Sequence, residues 1–293
     1  MIIAILSSIL AGLVLYFGIS ALIANGVAMS SRVPIDKTPK SLGLTYQDVS
    51  FRSRADNVLL RGWFMPANGN RTIIVMHGGK QSRADVTMQL MELCGDLVRK
   101  GFNVLTFDRR GCGQSEAPRC KVRARLDRDF GGAVDYVHNR NDTKERIFLL
   151  GISMGAVAAF TFAHKKEGIS GIVSDSCFSR ASEIAGRAMS RKCKLFKIFA
   201  PSAVFMGRIL FGLPKDDAID RVGSITCPIL FINGAEDQDI PAEDTNQLFK
   251  ASNNPLDEIW IVPGTGHSQA YKASPTEYID KVTTFINNNC SAF

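Results

Sequence analysis

The sequence predicts an α/β fold built on a mostly parallel sheet, and two patterns indicate it. Short, uninterrupted apolar runs such as "TIIVM" (Thr72–Met76) and "IFLLG" (Ile147–Gly151) are typical of strands that are buried on both faces. Stretches with helical periodicity separate these runs along most of the chain. Strands that alternate with helices form βαβ units, and their binding sites lie beyond the carboxyl ends of the strands.

The individual elements can be assigned in chain order. Two segments that alternate in hydrophobicity, Thr45–Ser53 and Val58–Pro66, flank the turn "RADN" and predict an antiparallel hairpin. Further strands are predicted at Thr72–Met76, Asn103–Phe107, Ile147–Gly151, Gly171–Asp175, Pro228–Asn233 and Glu258–Val262. Helices are predicted at Arg83–Lys100, Ala124–Asn139, Met154–Lys166, Ala242–Ala251 and Pro275–Asn288.

One segment, residues 178–220, interrupts the alternation with helical sequence between two strands. A long insertion at the carboxyl edge of a sheet is typical of a lid over a site. The part from Arg180 to Arg208 contains a single acid, Glu183, and apolar side chains that alternate with basic ones. Such a segment suits a lid over an acyl chain, an anionic membrane surface, or an ordinary solvated helix face. Its basic residues are Arg180, Arg187, Arg191, Lys192, Lys194, Lys197 and Arg208.

The N-terminal segment predicts a single transmembrane helix. Residues 2–31 carry no charge, and Ile2 to Ile23 is almost wholly apolar. About 20 such residues span the hydrocarbon core of a bilayer. A cleaved signal peptide, with Gly26-Val27-Ala28 as its cleavage site, and a buried core helix are the alternatives. We therefore divide the chain into an anchor (1–31), a linker (32–44) and a catalytic-type domain (45–293) that carries the cap insertion 178–220.

Charge and cysteine content bear on location and partners. Arg32, Lys37 and Lys40 follow the apolar segment, and this favours a cytoplasmic domain. The seven cysteines are odd in number and include no C-x-x-C pair, which disfavours a disulfide framework or a structural zinc site. The formal net charge of +7 is compatible with a lipid surface, but no zinc-finger or RNP-type motif indicates a nucleic-acid partner.

A nucleophilic serine is predicted at Ser153. The motif "GISMG" places it between Gly151 and Gly155, where a buried strand gives way to a helix. This sharp turn exposes a serine hydroxyl, and larger residues two positions away on either side would collide. Serine is a poor nucleophile at neutral pH, so it requires a base and an acid that orients the base.

Among the four histidines, His267 suits the role of base best. It lies in the Gly-rich loop "VPGTGHSQ" after the last strand, although a loop histidine facing water is the alternative. His138 and His164 lie in polar helical stretches and are expected at the surface. His77 ends a strand in "MHGGK", where a role in the turn and the oxyanion site is expected.

The acid is expected between the serine and the histidine in chain order. The segment "FINGAEDQDIP" offers Glu236, Asp237 and Asp239 after a strand, and we favour Asp237. Asp239 and Asp175 remain alternatives.

Two backbone N–H groups are candidates for the oxyanion hole. They belong to Gly79, in the turn "HGG", and to Met154, which follows Ser153 at the start of a helix.

Together these motifs resemble the α/β-hydrolase superfamily. Ser153, Asp237 and His267 occur in that order, with "HGG" and "DRRGCGQS" (Asp108–Ser115) upstream. The segments "DVSFRSRADNVLLRGWFMPA" and "GISMGA" are similar to the S33-type aminopeptidase or lysophospholipase-like branch, which includes membrane-anchored bacterial members. The resemblance covers Tyr46 to Ile286 and implies the α/β-hydrolase fold, with about eight strands and a helical cap after the sixth. Cys112 stands where relatives often have histidine.

The expected function is that of a membrane-anchored serine hydrolase that cleaves carboxylic esters, acyl-lipid esters among them, through an acyl-enzyme. Its expected partners are a small ester substrate and a lipid membrane, and the mechanism requires no metal or organic cofactor. An S33-type peptidase is a second hypothesis, but it needs an acidic group in the cap to bind a free amine, and the cap is basic. A non-catalytic binding protein on the same fold is a third.

Overall fold

The computed structural model describes residues 1–28, 32–79, 82–140, 146–165 and 168–289. The predicted end of the anchor at residue 31, the predicted helix end at Lys166 and Cys290 lie outside these ranges.

The described chain contains an eight-stranded sheet. Its strands are β1 (Gln47–Arg52), β2 (Leu59–Met65), β3 (Arg71–Met76), β4 (Asn103–Asp108), β5 (Arg146–Ile152), β6 (Gly171–Asp175), β7 (Ile229–Gly234) and β8 (Glu258–Val262). They lie in the order β1-β2-β4-β3-β5-β6-β7-β8. β2 pairs antiparallel with β1 and with β4, and the other neighbours are parallel. The predicted fold class is therefore confirmed, and β6 and β8 have the predicted bounds.

Helices cover both faces of this sheet. In the described residues they are α1 (Ile2–Ala28), α2 (Leu90–Arg99), α3 (Asp127–His138), α4 (Met154–Ala163), α5 (Ala181–Lys192), α6 (Ala200–Phe211), α7 (Ala218–Val222), α8 (Ala242–Ala251), α9 (Ala270–Ala273) and α10 (Pro275–Asn288). Phe130 and Phe160, from α3 and α4, belong to the core on one face, and Leu93 and Phe285, from α2 and α10, belong to the core on the other. Because helices fill both faces, the carboxyl edge of the sheet is left for the loops and the cap.

The helix predicted at Arg83–Lys100 is wrong in its first half, because helix α2 begins only at Leu90. The preceding residues form turns that side-chain contacts fix. The backbone N–H of Arg83 donates to Asp108 Oδ1 at 2.8 Å, and the N–H of Met88 donates to Asp85 Oδ1 at 2.8 Å. These carboxylates capture N–H groups that a helix would otherwise use.

The insertion after β6 forms the predicted helical cap. It consists of α5, a 3-10 turn at Lys194–Phe199, α6 and the short α7, after which the chain returns to the sheet at β7. Helix α7 begins with a capping box between Asp217 and Asp220. Phe178 and Met189 of this region line the same cavity as Ser153, so the cap covers the carboxyl edge of the sheet.

The N-terminal segment forms one continuous helix, α1, which is the only helix of the described residues long and apolar enough to cross a membrane. Residues 2–15 are exposed along their whole length. The second half packs against α6 of the cap, where Ser20 and Ala24 are buried. The Asn25 side chain accepts a hydrogen bond from Arg123 Nη1 at 2.9 Å.

Candidate active site

Ser153 occupies the turn between β5 and α4 in a backbone conformation that few side chains adopt, with φ 54° and ψ −113°. Its N–H donates to the carbonyl of Asp175 at 2.8 Å, which ties the turn to the end of β6. A Cβ at Gly151 would lie 2.4 Å from the carbonyl oxygen of Gly155. A Cβ at Gly155 would lie 2.3 Å from the carbonyl oxygen of Met76. The turn therefore closes only with glycine at both positions, as the motif predicted.

His267 lies beside this serine. Its Nε2 is 3.2 Å from Ser153 Oγ, and its Nδ1 is 2.7 Å from Asp237 Oδ2. The loop that carries it is held by a hydrogen bond of 3.1 Å from the N–H of Ser268 to Ser176 Oγ. The structure therefore brings the predicted nucleophile, base and acid into one hydrogen-bonded chain.

Asp237 is positioned by its own loop. It is buried, and its Oδ1 accepts the backbone N–H groups of Asp239 and Ile240, each at 2.8 Å. The remaining oxygen, Oδ2, accepts the Nδ1 proton of His267, so Nε2 is free to accept the proton of Ser153 Oγ. Burial disfavours the charged imidazole, but the hydrogen bond and charge of Asp237 outweigh it and raise the pKa of His267.

The other acid candidates have different partners. The carboxylate of Asp239 forms an ion pair with Arg191, and Glu236 is exposed. Asp175 is buried and accepts hydrogen bonds from Ser176 Oγ at 2.8 Å and from the hydroxyl of Tyr278 at 3.1 Å. Burial raises the pKa of Asp175 to about 6 against these two hydrogen bonds. Of the candidates, Asp237 is the one that contacts the His267 ring.

The two residues predicted to supply the oxyanion hole, Gly79 and Met154, lie at the cavity of Ser153. The Gly78 carbonyl accepts hydrogen bonds from His77 Nδ1 at 3.0 Å and from Arg109 Nε at 3.2 Å. The peptide bonds are trans, so the N–H of Gly79 points away from that carbonyl. Met154 supplies the first N–H of α4, which has no acceptor within its helix. Both residues line one cavity with Ser153, and a Cβ at Gly79 would lie 3.9 Å from Met154 Sδ.

His77 and Arg109 support this loop from behind. His77 is fully buried, and its Nε2 accepts the backbone N–H of Arg109 at 3.2 Å. Burial and the charge of Arg109 lower the pKa of His77 to about 3, so the ring is neutral. Arg109 Nη2 also donates to the Gly79 carbonyl at 3.1 Å. The sequence predicts His77 in the turn, but nothing in the motif "DRRG" (Asp108–Gly111) indicates that Arg109 supports the same loop.

The remaining histidines lie elsewhere. His138, at the end of α3, is exposed, and His164, at the end of α4, is partly buried. Neither lines the cavity at Ser153.

The cavity above Ser153 is apolar and has a volume of about 480 Å³. Residues of the cap form about half of its lining, and Ser153, His267 and Asp239 supply the polar side chains. The cap residues include Phe178, Ile184, Met189, Val204, Phe211 and Leu213. This composition suits a hydrocarbon chain with one reactive polar group.

The arginines of the cap form ion pairs. Arg187 pairs with Asp244 at 3.0 Å, Arg191 pairs with Asp239, and Arg180 lies 3.8 Å from Asp220. None of them lines the cavity described here. Carboxylates of this chain therefore already neutralise these arginines.

Three side chains, those of Asp237, Asp239 and His267, lie close enough together to hold a metal ion, since their ligand atoms are within 4.8 Å of one another. In the described residues, His267 Nδ1 is engaged by Asp237, and the Asp239 carboxylate is engaged by Arg191. The hydrogen bonds that hold the histidine thus use the same atoms that a cation would need.

Comparison with known proteins adds a family and a set of relatives. Residues 68–214 match the family model described as "Serine aminopeptidase, S33". The protein YfhR of Salmonella typhi is 28% identical over 268 residues, which cover 84% of this chain and 83% of that protein. The α/β-hydrolase domain-containing protein WAV2 of Arabidopsis thaliana is 24% identical and covers 90% of this chain and 91% of its own.

A solved structure is similar in fold. The esterase Pf2001 of Pyrococcus furiosus has a TM-score of 0.76 and 26% sequence identity, and the match covers 89% of this chain and 97% of that one.

Proposed function

Because the chain belongs to the serine aminopeptidase (S33) family of the α/β-hydrolase superfamily, we propose that it is a serine hydrolase that cleaves carboxylic esters with an apolar acyl group. The observation that carries the proposal is the hydrogen-bonded chain from Ser153 through His267 to Asp237 at the base of an apolar cavity.

In this mechanism, Ser153 Oγ attacks the ester carbonyl while His267 Nε2 takes its proton. Asp237 holds the imidazole in position and stabilises its positive charge. The N–H groups of Gly79 and Met154 donate to the developing oxyanion, where one such donor is worth about 10²–10³ in rate. His267 then protonates the departing alcohol, which leaves an ester of the acyl group with Ser153. A water molecule that gives a proton to His267 then attacks the acyl carbon, and His267 returns this proton to Ser153 Oγ as the carboxylic acid leaves.

Ester cleavage is favoured over peptide cleavage by the lining of the cavity. An aminopeptidase requires a carboxylate that receives the free amine of its substrate. Asp239 is the acid among the lining residues, and Arg191 neutralises it. The similar structure from Pyrococcus furiosus is itself an esterase, which supports the same choice.

Covalent labelling tests the proposal most directly. A fluorophosphonate probe is expected to modify the wild-type protein and the control variant Ser224→Ala, whose serine is exposed and lies before β7, but not Ser153→Ala. The same three proteins are then assayed with a series of p-nitrophenyl esters of increasing chain length. Equal labelling of Ser153→Ala would show that the reactive serine is not Ser153, and no labelling of any protein would support a non-catalytic binding role instead.

We further propose that helix α1 spans a membrane and that the hydrolase domain lies on the cytoplasmic side. The supports are its uninterrupted apolar length and the basic residues Arg32, Lys37 and Lys40 that follow it. Cys120 is exposed and provides a reporter. An impermeant maleimide is expected to reach it only after the cells are permeabilised, with Cys120→Ser as the control. Reaction in intact cells would indicate that the domain lies on the outer side of the membrane.

A further inference from the structure

Helix α1 forms part of the wall of the cavity above Ser153. Ile23, Ala24 and Val27, which share one face of the helix, line that cavity. Val204 and Gly207 of α6 lie on the cap side of the same space. The segment that a sequence reading treats as a tether therefore borders the site of the chemistry.

The position of α1 on the cap is fixed by specific contacts. The hydroxyls of Ser20 and Ser202 lie 2.7 Å apart and share a hydrogen bond. The hydroxyl of Tyr16 donates to the Ile198 carbonyl at 2.9 Å, and its ring stacks on Phe199 with centroids 5.0 Å apart. Small and hydroxyl side chains allow helices to approach closely in an apolar medium. A flexible tether would have no need of these contacts.

The length of α1 determines how deep in a bilayer the cap would lie. Residues 2–15 precede the first cap contact at Tyr16, and at 1.5 Å per residue they measure about 21 Å. The hydrocarbon core of a bilayer is about 30 Å thick. A span formed by this helix therefore includes the turns from Tyr16 to about Ser20. The cap atoms that contact those turns must then lie within the near leaflet.

The cap presents an apolar surface beside these contacts, which we call the cap patch. Its members are exposed although they are large and apolar: Leu195, Phe196, Ile198, Phe205 and Ile209, with Leu195 75% exposed. Lys194 and Lys197 are exposed at its border, and no ion-pair partner lies within 4.0 Å of them among the described residues. Such a border of lysines suits lipid phosphate groups beside a helix that crosses a membrane.

We propose that the cap patch enters the leaflet beside α1, and that the cavity takes the acyl chain of a membrane lipid ester directly from the bilayer, with α1 as one wall of the acyl site. This inference rests on the proposed ester hydrolase activity of Ser153. Ala24 lies about 33 Å along the helix from Ile2, so the cavity lies at the level where the hydrocarbon core ends. Ester linkages of membrane lipids lie at that boundary, and their acyl chains extend into the core.

The depth of the cap patch is tested without reference to activity. Full-length Phe205→Trp is reconstituted in phosphatidylcholine vesicles whose acyl chains carry bromine, which quenches tryptophan on contact. Leu256→Trp is the matched control, because Leu256 is also an exposed apolar residue but lies before β8, at the edge of the sheet opposite the cap. Quenching of the added tryptophan is expected at position 205 and not at 256. Equal quenching at the two positions would overturn the inference.

The wall formed by α1 is tested with a matched pair of substitutions. Ala24→Phe fills the cavity from the helix side, whereas Leu22→Phe alters the exposed side of the same helix. Both are assayed in vesicles with p-nitrophenyl palmitate and p-nitrophenyl butyrate. Ala24→Phe is expected to lower the palmitate-to-butyrate ratio of kcat/KM by about tenfold, and Leu22→Phe is expected to leave it unchanged.

The outcomes separate the two proposals. Butyrate hydrolysis that requires Ser153, combined with equal ratios in the two phenylalanine variants, would overturn the membrane route alone. Hydrolysis of neither ester by the wild-type protein would overturn the proposed function and this inference together. The quenching measurement remains decisive if Ala24→Phe fails to fold, because it leaves Ala24 unchanged.

Discussion

The substitution Gly155→Ala is expected to damage both the fold and the candidate active site. A Cβ at this position would lie 2.3 Å from the carbonyl oxygen of Met76 and 3.0 Å from that of His77. An unstrained contact of this kind needs about 3.5 Å, so β3 and α4 would have to separate by roughly 1 Å. The obstacle is the backbone of a central strand, which cannot rotate away as a side chain can.

The loss of stability in Gly155→Ala follows from that displacement. Overpacking of a core typically costs about 1–3 kcal/mol, and a clash with backbone lies at the upper end of this range. For a domain of this size, 3 kcal/mol corresponds to a fall of about 6–12 °C in the melting temperature. The shift also moves the loop that carries Gly79, and a 1 Å error in positioning costs about 10² in rate.

The matched control is Gly186→Ala in the middle of α5. A Cβ there would meet only side-chain atoms at ordinary contact distances, of which Lys197 Cγ is nearest at 3.6 Å. Replacing a helical glycine by alanine is therefore expected to raise the stability by about 0.5–1 kcal/mol. Both proteins are measured by thermal unfolding and by the rate at which Ser153 reacts with a fluorophosphonate. A Gly155→Ala protein with the wild-type melting temperature and labelling rate would refute the steric argument.

Three further outcomes are expected. Asp237→Asn should lower kcat toward a soluble ester by about 10⁴-fold, whereas Asp239→Asn should stay within about tenfold; equal losses would refute the choice of acid. Activity should fall as the pH drops through the raised pKa of His267, because only the neutral ring accepts a proton, and Asp237→Asn should move the midpoint of a pH–rate profile to lower pH. Asp127 is buried, yet hydrogen bonds from its two cationic partners, Arg125 and Lys165, outweigh burial and lower its pKa to about 2. Its folded pKa lies below the unfolded value, so it contributes about 2 kcal/mol of stability above pH 4, which is lost as the pH falls toward 2; denaturation of Asp127→Asn across this range should show a correspondingly smaller dependence on pH.

The sequence could predict those elements whose signals are local. Strand β6 at Gly171–Asp175 and helix α10 at Pro275–Asn288 have the bounds that their hydrophobic patterns indicate. The predicted helix start at Arg83 was wrong because its backbone N–H bonds to Asp108, a residue that is distant along the chain. Hydrophobic periodicity reflects only neighbours along the chain, so it predicts a helix through residues that a tertiary contact holds in turns.

In the candidate active site as well, the sequence predicts what depends on local signals and not what depends on tertiary contacts. Ser153 and His267 could be found because their motifs lie at strand ends that the fold brings to one edge. The choice among Asp237, Asp239 and Asp175 depended on loop conformation, since the hydrogen bonds of Asp237 Oδ1 to backbone N–H groups decide which oxygen faces the histidine. No sequence pattern encodes that orientation.

Helix α1 shows a different limit. Hydropathy is the same whether an apolar helix stands alone in a membrane or packs on a cap, so the prediction of an anchor left the contact with α6 unseen. The polar side chains Tyr16 and Ser20, four residues apart on one face, are a local signal of that contact, but polar side chains are few among the apolar neighbours. Serine and tyrosine hydroxyls on one face of an otherwise apolar helix therefore indicate a docking face.

The cap charges also acquire a meaning that composition alone did not give. The sequence suggested that they attract anionic lipid, but Arg187 and Arg191 reach across to the loop of Asp237 instead. Arg187 Nε donates to the Asp239 carbonyl at 3.0 Å, and Arg191 Nη2 donates to the Gln238 carbonyl at 2.5 Å. These contacts flank the backbone N–H groups that orient the Asp237 carboxylate. Helix α5 thus both borders the cavity at Ser153 and holds the loop that orients the acid of the site.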